Sequence, residues 1–177
     1  TITDTTVGDS VKIQKLQGTL GSFAYSATLP SAKEAFTTLE NDKVVLKIAN
    51  KGGYIAEATL KDFKKFDKNS KELVALIKNN NAYFNLQLQT KDNRVLNTKD
   101  LFFEPTLTTV DGNQVLSMKL KSSDNAFLEY KYVLKPKDYM LDFDIRTQGL
   151  NTVLNTSKPV DFQWDMKTYR NEKSISY

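Results

Sequence analysis

The chain contains neither cysteine nor histidine in its 177 residues. Without cysteine it forms no disulfide, and this absence is compatible with either the cytoplasm or the periplasm. Serine–histidine and cysteine–histidine catalysis are excluded because their essential side chains are missing. Zinc sites almost always recruit one of the two residues, so we expect no metal, and no sequence motif indicates a cofactor.

Long apolar runs and one-sided charge are also missing. No run of 18 apolar residues occurs, so we expect any membrane-spanning helix of the parent protein to lie outside this sequence. The 25 basic and 21 acidic residues give a net charge of +4 and are interspersed along the chain. A nucleic-acid binder would show a basic stripe, so we expect no nucleic-acid partner.

What the sequence does contain is alternation of apolar and polar residues around turns. Apolar residues recur at every second position on both sides of Pro136-Lys137-Asp138, which predicts two half-buried strands. Similar patterns flank Gly52-Gly53 and Asp111-Gly112. At least five such segments and no long amphipathic helix predict an all-β, antiparallel β-sandwich. The residues expected to shape the hairpins are Gly52, Gly53, Pro136, Asp138 and Tyr139.

Two parts of the chain are predicted from this pattern. Residues 1–37 are polar with weak periodicity and predict a tether, although Phe23 and Tyr25 could dock on the body. The regular sandwich is predicted over residues 38–177, with a possible bulge at Ala56-Glu57-Ala58. The alternating series predict a core that includes Tyr132, Leu134, Leu141, Phe143, Phe162 and Trp164.

Two clusters of polar residues could carry chemistry. Asp142 and Asp144 lie on one face of a strand, roughly 6.5–7 Å apart, a spacing that can serve glycoside hydrolysis. Arg146 follows in line, and a solvated polar face explains the pattern better. A basic and aromatic segment could contact anionic lipid or nucleic acid, although a charged surface loop is favoured. Its residues are Lys61, Phe63, Lys64, Lys65 and Phe66. The residues alone therefore predict a binding or scaffold module and not an enzyme.

Five segments, in the correct order, resemble the periplasmic domain of the YidC-type membrane protein insertases (the YidC/Oxa/Alb family). They are Leu39-Glu40-Asn41-Asp42, Lys51-Gly52-Gly53, Leu60-Lys61-Asp62-Phe63, residues 97–103 and the hairpin over residues 130–144. The resemblance implies a twisted β-sandwich of the galactose-mutarotase type. It implies a transmembrane helix before this domain and an insertase core of five helices after it.

The resemblance also implies a function and a location. The parent would be a Gram-negative inner-membrane insertase and chaperone, with this domain on the periplasmic face. Its partners would be nascent membrane proteins and the Sec translocon. The functional arginine of the family lies in the membrane core, so no catalytic, cofactor or metal residue carries over to this chain.

The family's domain is usually longer, so we expect the sandwich to be partial at its C-terminal end. The apolar series Val160 to Met166 would then form a bare edge. Either this edge makes a dimer, or residues 1–37 cover it through Phe23 and Tyr25.

Two other functions remain open from the residues. One is a carbohydrate-binding or carbohydrate-processing β-sandwich, which an exposed aromatic platform beside carboxylates would favour. The absence of histidine argues against mutarotase-like catalysis. The other is a secreted, adhesin-like structural domain.

Overall fold

The computed structural model describes residues 5–66 and 70–171. Within that part of the chain, eleven strands form three antiparallel sheets, which confirms the all-β prediction. The strands are β1 (Phe36–Glu40), β2 (Val44–Ala49), β3 (Ile55–Lys64), β4 (Leu73–Ile77), β5 (Ala82–Gln89), β6 (Val95–Asn97), β7 (Glu104–Val110), β8 (Asn113–Ser123), β9 (Ala126–Leu134), β10 (Leu141–Gln148) and β11 (Asp161–Met166). The first sheet has the order β1-β2-β3-β4, the second β10-β9-β8-β7, and the third β11-β5-β6.

The three predicted hairpin turns are confirmed. Gly52-Gly53 joins β2 to β3, Asp111-Gly112 joins β7 to β8, and Pro136-Lys137 joins β9 to β10. Gly53 has a φ of +67°, and a Cβ there would lie 3.0 Å from the Tyr130 ring and 3.1 Å from the Phe103 ring. Glycine is therefore required both by the backbone conformation and by the close packing of the two rings.

The predicted bulge in β3 is confirmed as well. Lys47 pairs with Glu57 and Ile48 pairs with Ile55, which leaves Ala56 as the extra residue. The strand runs on to Lys64, so Lys61 to Lys64 lie in a strand and not in the charged loop predicted from composition.

The core lies between the three sheets. Leu39, Ile48, Leu116, Met118 and Leu120 are essentially inaccessible to solvent. Tyr130 and Tyr132 lie among them on β9, and Leu134 ends the same strand. Of the six residues predicted to be core, Tyr132 and Leu134 are buried, and Leu141 and Phe143 are half-buried.

The prediction that Phe162 and Trp164 belong to the core is wrong. Their side chains are 56% and 67% exposed. β11 pairs only with β5 within the described residues, and it lies at the edge of its sheet. The alternation correctly predicted a strand with one apolar face, but that face lacks a covering layer in the described part of the chain.

The N-terminal segment contains two helices, α1 (Thr5–Leu20) and α2 (Ala24–Thr28). Phe23 is buried, and the Ser26 hydroxyl donates a hydrogen bond to the Phe102 carbonyl oxygen at 2.8 Å. The Tyr25 hydroxyl bonds the Asp124 carboxylate. This segment therefore docks beside β8, and the expectation that Phe23 and Tyr25 cover the β11 edge is wrong.

Candidate functional site

An apolar groove runs between the edge strands β10 and β11, and we call it the edge groove. It encloses a cavity of about 510 Å³ and receives side chains from all three sheets. Almost all of its lining is aliphatic or aromatic. The lining residues are Tyr54, Ile55, Ile77, Ala82, Tyr83, Phe84, Tyr132, Leu141, Phe143, Asp144, Ile145, Phe162 and Trp164.

The floor of the edge groove is built around Phe84 of β5. Its ring makes edge-to-face contacts with Phe143 of β10, at a centroid distance of 5.6 Å, and with Phe162 of β11, at 5.4 Å. A third such contact, at 5.4 Å, joins it to Tyr130 in the core. Edge-to-face pairs of this kind are favoured arrangements of aromatic rings. Phe84 therefore links the second and third sheets beneath the groove.

The rim of the edge groove is apolar and open to solvent. Trp164 lies opposite Phe84 in the β5–β11 pair, and Ile145 lies opposite Tyr130 in the β9–β10 pair. Both rim residues are exposed. An exposed apolar surface continuous with the core makes the edge groove the candidate interaction site, because monomeric proteins rarely leave large apolar patches in water.

Charged and acidic groups in the edge groove are sparse. Asp144 is the only acidic residue among the described residues that line the edge groove, while Asp142 is exposed and paired with Lys135, with its Oδ2 3.1 Å from the Lys135 Nζ. The Tyr132 hydroxyl donates a hydrogen bond to the Gly53 carbonyl oxygen at 2.7 Å, and burial raises the pKa of Tyr132. The groove is thus suited to binding apolar groups, and its geometry does not supply a paired acid and base.

A buried carboxylate was missed in the sequence. Glu129 on β9 is 2% exposed and is bonded by the Arg146 guanidinium of β10 and by the Ser117 hydroxyl. Burial by itself would raise the pKa of Glu129, but the hydrogen bonds from Arg146 and Ser117 outweigh that effect and lower it. Only the cross-strand register, with Arg146 opposite Glu129, reveals this pairing.

The segments that carried the resemblance meet in the structure. The Asn41 amide donates hydrogen bonds to the carbonyl oxygens of Lys135, at 2.6 Å, and of Asp138, at 2.7 Å. The Lys61 ammonium bonds the Glu40 carboxylate and the Asn41 carbonyl oxygen. These contacts fasten the Pro136 turn to the loop between β1 and β2.

A second set of contacts joins the same turn to β3 through Asp62. The Tyr139 hydroxyl bonds Asp62 Oδ2 at 2.9 Å, and the Lys43 ammonium bonds the same oxygen. The hydrogen bond from Lys43, followed by that from Tyr139, lowers the pKa of Asp62. Within the turn, Asp138 Oδ1 accepts a hydrogen bond from the Met140 backbone N–H at 3.0 Å. We call the contacts among Asn41, Lys61, Asp62 and Pro136–Tyr139 the hairpin network.

Residues 97–103, another of the segments that carry the resemblance, hold the Gly52-Gly53 turn through backbone hydrogen bonds. The Gly52 backbone N–H donates to the Leu101 carbonyl oxygen at 2.8 Å, and the Phe103 N–H donates to the Asn50 oxygen at 2.7 Å. The predicted hairpin residues therefore lie in or next to turns that contact neighbouring segments of the chain. They are Gly52, Gly53, Pro136, Asp138 and Tyr139.

The residues of the predicted basic and aromatic segment do not form one continuous, unpaired cationic surface. Lys61 pairs with Glu40 and Lys65 pairs with Glu72, so carboxylates offset two of its three cations. Phe63 is half exposed and packs on Tyr139, with the ring centroids 6.0 Å apart. Phe66 is half exposed, the Arg170 guanidinium lies 5.8 Å from its ring centroid, and Lys64 is exposed. A contact of this segment with lipid stays a prediction.

Neither a metal-binding cluster nor a membrane-spanning helix occurs in the described part of the chain. In residues 5–66 and 70–171, no group of three or more acidic side chains is placed to hold a metal ion. No helix in those same residues has the length and apolar character needed to cross a membrane.

Comparison with known proteins identifies a family. A model of the YidC periplasmic domain matches residues 37–177. The membrane protein insertase YidC of Parabacteroides distasonis is 39% identical over 170 residues, which cover 96% of this chain and 26% of that protein. The protein of the same name from Porphyromonas gingivalis is 34% identical over 152 residues, which cover 85% of this chain and 23% of the relative.

A more distant relative, the membrane protein insertase YidC of Chlorobium luteolum, is 28% identical over 150 residues. This chain spans about a quarter of the length of the curated relatives it matches. No solved structure matches it. These relatives give no support to the carbohydrate alternative, even though Trp164 is exposed.

Proposed function

Because the chain belongs to the YidC periplasmic domain family, we propose that it is the non-catalytic periplasmic domain of a bacterial inner-membrane protein insertase. The match over residues 37–177 carries this proposal, and the insertases of P. distasonis and P. gingivalis support it. In this function the domain lies on the periplasmic face of the inner membrane. It contacts or positions partner proteins while the membrane-embedded part of the protein performs insertion.

The partners follow from the same proposal. They are nascent membrane proteins, received by the insertase alone or beside the Sec translocon. The absence of histidine and cysteine agrees with a role that needs no covalent or acid–base chemistry. The edge groove adds an apolar surface on which such a role could depend.

Replacement of a host insertase tests the activity. A strain depleted of its own insertase receives the full-length protein that carries this domain, or a version without residues 37–177. Protease accessibility of a newly made reporter membrane protein measures insertion. We expect the full-length protein to restore insertion and the shortened version to restore less of it. Failure of a stably expressed full-length protein to restore insertion would contradict the proposal.

The absence of native cysteine in this domain allows a clean test of its location. Ser157→Cys places a thiol at an exposed site, and Ser26→Cys places one at a buried site. Both are introduced into full-length protein from which any other cysteines have been removed. We expect a membrane-impermeant maleimide to label the Ser157→Cys variant in intact cells and the Ser26→Cys variant only after denaturation. Labelling of the Ser157→Cys variant only after the inner membrane is broken would rule out a periplasmic location.

A further inference from the structure

The described residues that follow β11 pack on the turn between β4 and β5. The Lys167 backbone N–H donates to the Asn81 carbonyl oxygen, and the Asn81 side-chain amide donates to the Lys167 carbonyl oxygen, each at 2.8 Å. Two residues later, the Lys78 ammonium lies over the Tyr169 ring, with its Nζ 4.8 Å from the ring centroid. This stretch is therefore held to the turn both by its backbone and by a cation–π contact.

The same stretch also reaches the end of β3. The Arg170 guanidinium lies 5.8 Å from the Phe66 ring centroid, and Lys64 pairs with Leu73 where β3 and β4 meet. Three stretches that are far apart in the sequence thus form one surface, which we call the basic–aromatic patch. It consists of residues 64–66, 71–78 and 167–170.

The basic–aromatic patch concentrates the positive charge of the chain. Six of its seven charged side chains are basic, which gives the patch a charge of +5, whereas the whole chain carries +4. Its one carboxylate, that of Glu72, is bonded by Lys65. The ion pairs of the described residues include neither Lys64 nor Lys167. The rest of the chain is close to neutral, so an anionic partner is attracted to this surface.

Apolar side chains are interspersed with these cations and are open to water. Phe66, Leu76 and Tyr169 are between 38% and 49% exposed. Aromatic rings favour the level of the headgroups at a membrane surface, and basic side chains beside them attract anionic lipid. Binding to such a surface grows with the buried apolar area and with the charge attraction together. The combination therefore favours a bilayer over an acidic polypeptide, which would use the cations alone.

We infer that the basic–aromatic patch binds the surface of an anionic phospholipid bilayer, with its cations at the lipid phosphates and its rings at the level of the headgroups. The inference rests on the proposed function, because a domain on the periplasmic face is tethered beside such a surface. Tethering supplies a high effective concentration, so a weak contact is sufficient to orient the domain. The turn between β4 and β5 then faces the bilayer, and the opposite end of β5 faces away from it.

Fluorescence quenching in lipid nanodiscs tests the contact in the full-length protein. Thr168→Cys and Leu76→Cys place a bimane label in the basic–aromatic patch, and Ser157→Cys places it near the opposite end of β5. Any other cysteines are replaced, and each disc holds one copy of the protein without substrate. The discs contain phosphatidylcholine alone or mixed with phosphatidylglycerol, and a small share of the lipid carries a nitroxide on its headgroup.

In discs with phosphatidylglycerol, we expect the nitroxide to quench the labels at residues 168 and 76 severalfold more than the label at residue 157. In discs of phosphatidylcholine alone, the three labels should be quenched alike, because the charge attraction is missing. Equal quenching of the three labels in the anionic discs would overturn the inference. A patch that binds an acidic polypeptide would give that result, since these discs offer only lipid.

Paired substitutions show whether the charges of the patch carry the contact. Lys64→Gln with Lys167→Gln removes two exposed cations from the patch, and Lys91→Gln with Lys158→Gln removes two exposed cations elsewhere. Each basic residue near an anionic surface strengthens binding roughly fivefold, so the first pair should lower the docking constant roughly 30-fold. Quenching of the patch label should fall with the first pair and stay unchanged with the second. An equal response to the two pairs would overturn the inference.

The insertase replacement experiment separates this inference from the proposed function. A full-length protein that restores insertion but whose patch label is quenched no more than the control label would overturn the inference alone. A stably expressed protein that fails to restore insertion would contradict the proposed function, whatever the quenching of its labels.

Discussion

The hairpin network surrounds the turn that precedes β10, whereas the edge groove is lined by residues of β10 itself, and the two regions differ in how completely their polar groups are satisfied. In the hairpin network, Asn41 bonds two carbonyl oxygens, and Asp62 accepts from both Lys43 and Tyr139. In the edge groove, Trp164 and Ile145 contact water and two strand edges lack partners in the described residues. The difference separates residues that specify the fold from an apolar surface that is open to solvent in the described residues.

This comparison also explains why the sequence motifs did not point to a binding site. The segments that carry the family resemblance contain Asn41, Gly53 and Asp138, which hold turns and join sheets. These residues stabilise the fold and do not form a binding surface. The edge groove is instead formed by ordinary apolar residues whose alternation is indistinguishable from that of any core strand.

The largest expected difference between the two regions concerns a buried and an exposed aromatic residue. Phe103 is fully buried and packs on Tyr130, with ring centroids 4.7 Å apart. Phe103→Ala should lower the free energy of unfolding by about 3–5 kcal/mol. Trp164→Ala in the 177-residue chain should change it by only about 0.5 kcal/mol, since surface substitutions seldom do more.

Urea unfolding of the two variants and the parent chain measures both values. A loss at Trp164 as large as that at Phe103 would show that the groove is closed in this chain.

Two glycines test the close packing around the first hairpin. Gly53 and Gly112 both have positive φ, so alanine at either position carries backbone strain of about 1–2 kcal/mol. A Cβ at Gly53 also approaches the Phe103 and Tyr130 rings, whereas one at Gly112 meets only Pro136 Cγ at 3.7 Å. Gly53→Ala should therefore lower the melting temperature more than Gly112→Ala does. Equal shifts in thermal unfolding would mean that the rings move aside at no cost.

Removal of the Asn41 amide tests the hairpin network directly. Asn41→Ala leaves the carbonyl oxygens of Lys135 and Asp138 without their donor, and it removes the acceptor of the Lys43 and Val44 backbone N–H groups. The expected cost is about 1–3 kcal/mol. The exposed Asn151→Ala serves as the control and should be nearly neutral. An Asn41→Ala protein as stable as the control would show that water replaces these bonds without loss.

The sequence was sufficient to predict the strands and turns, because the residue patterns that indicate them are local. Alternation predicted β9, β10 and β11, and glycine or proline predicted the turns between β2 and β3 and between β9 and β10. Burial was not local, since the exposure of Phe162 and Trp164 depends on whether another layer covers β11. The pairing of Glu129 with Arg146 depends on the β9–β10 register, and α1 has too weak an apolar periodicity to be predicted.

The smallest expected effect concerns the ion pair between β9 and β10, in which the buried Glu129 meets the 61% exposed side chain of Arg146. The hydrogen bonds hold the pKa of Glu129 below its ordinary value in the folded chain. A carboxyl group of this kind stabilises the fold fully above its unfolded pKa and loses that contribution as pH falls through the folded pKa. The advantage of the parent chain over Glu129→Gln in melting temperature should therefore shrink as the pH falls from about 6 to about 3. Because solvent screens the exposed guanidinium, we expect a shift smaller than those at Phe103 or Asn41. A difference that stays constant over this range would show that the Glu129 charge adds nothing to stability and that β10 is held to β9 by backbone bonds and by the stacking of Phe143 on Tyr132.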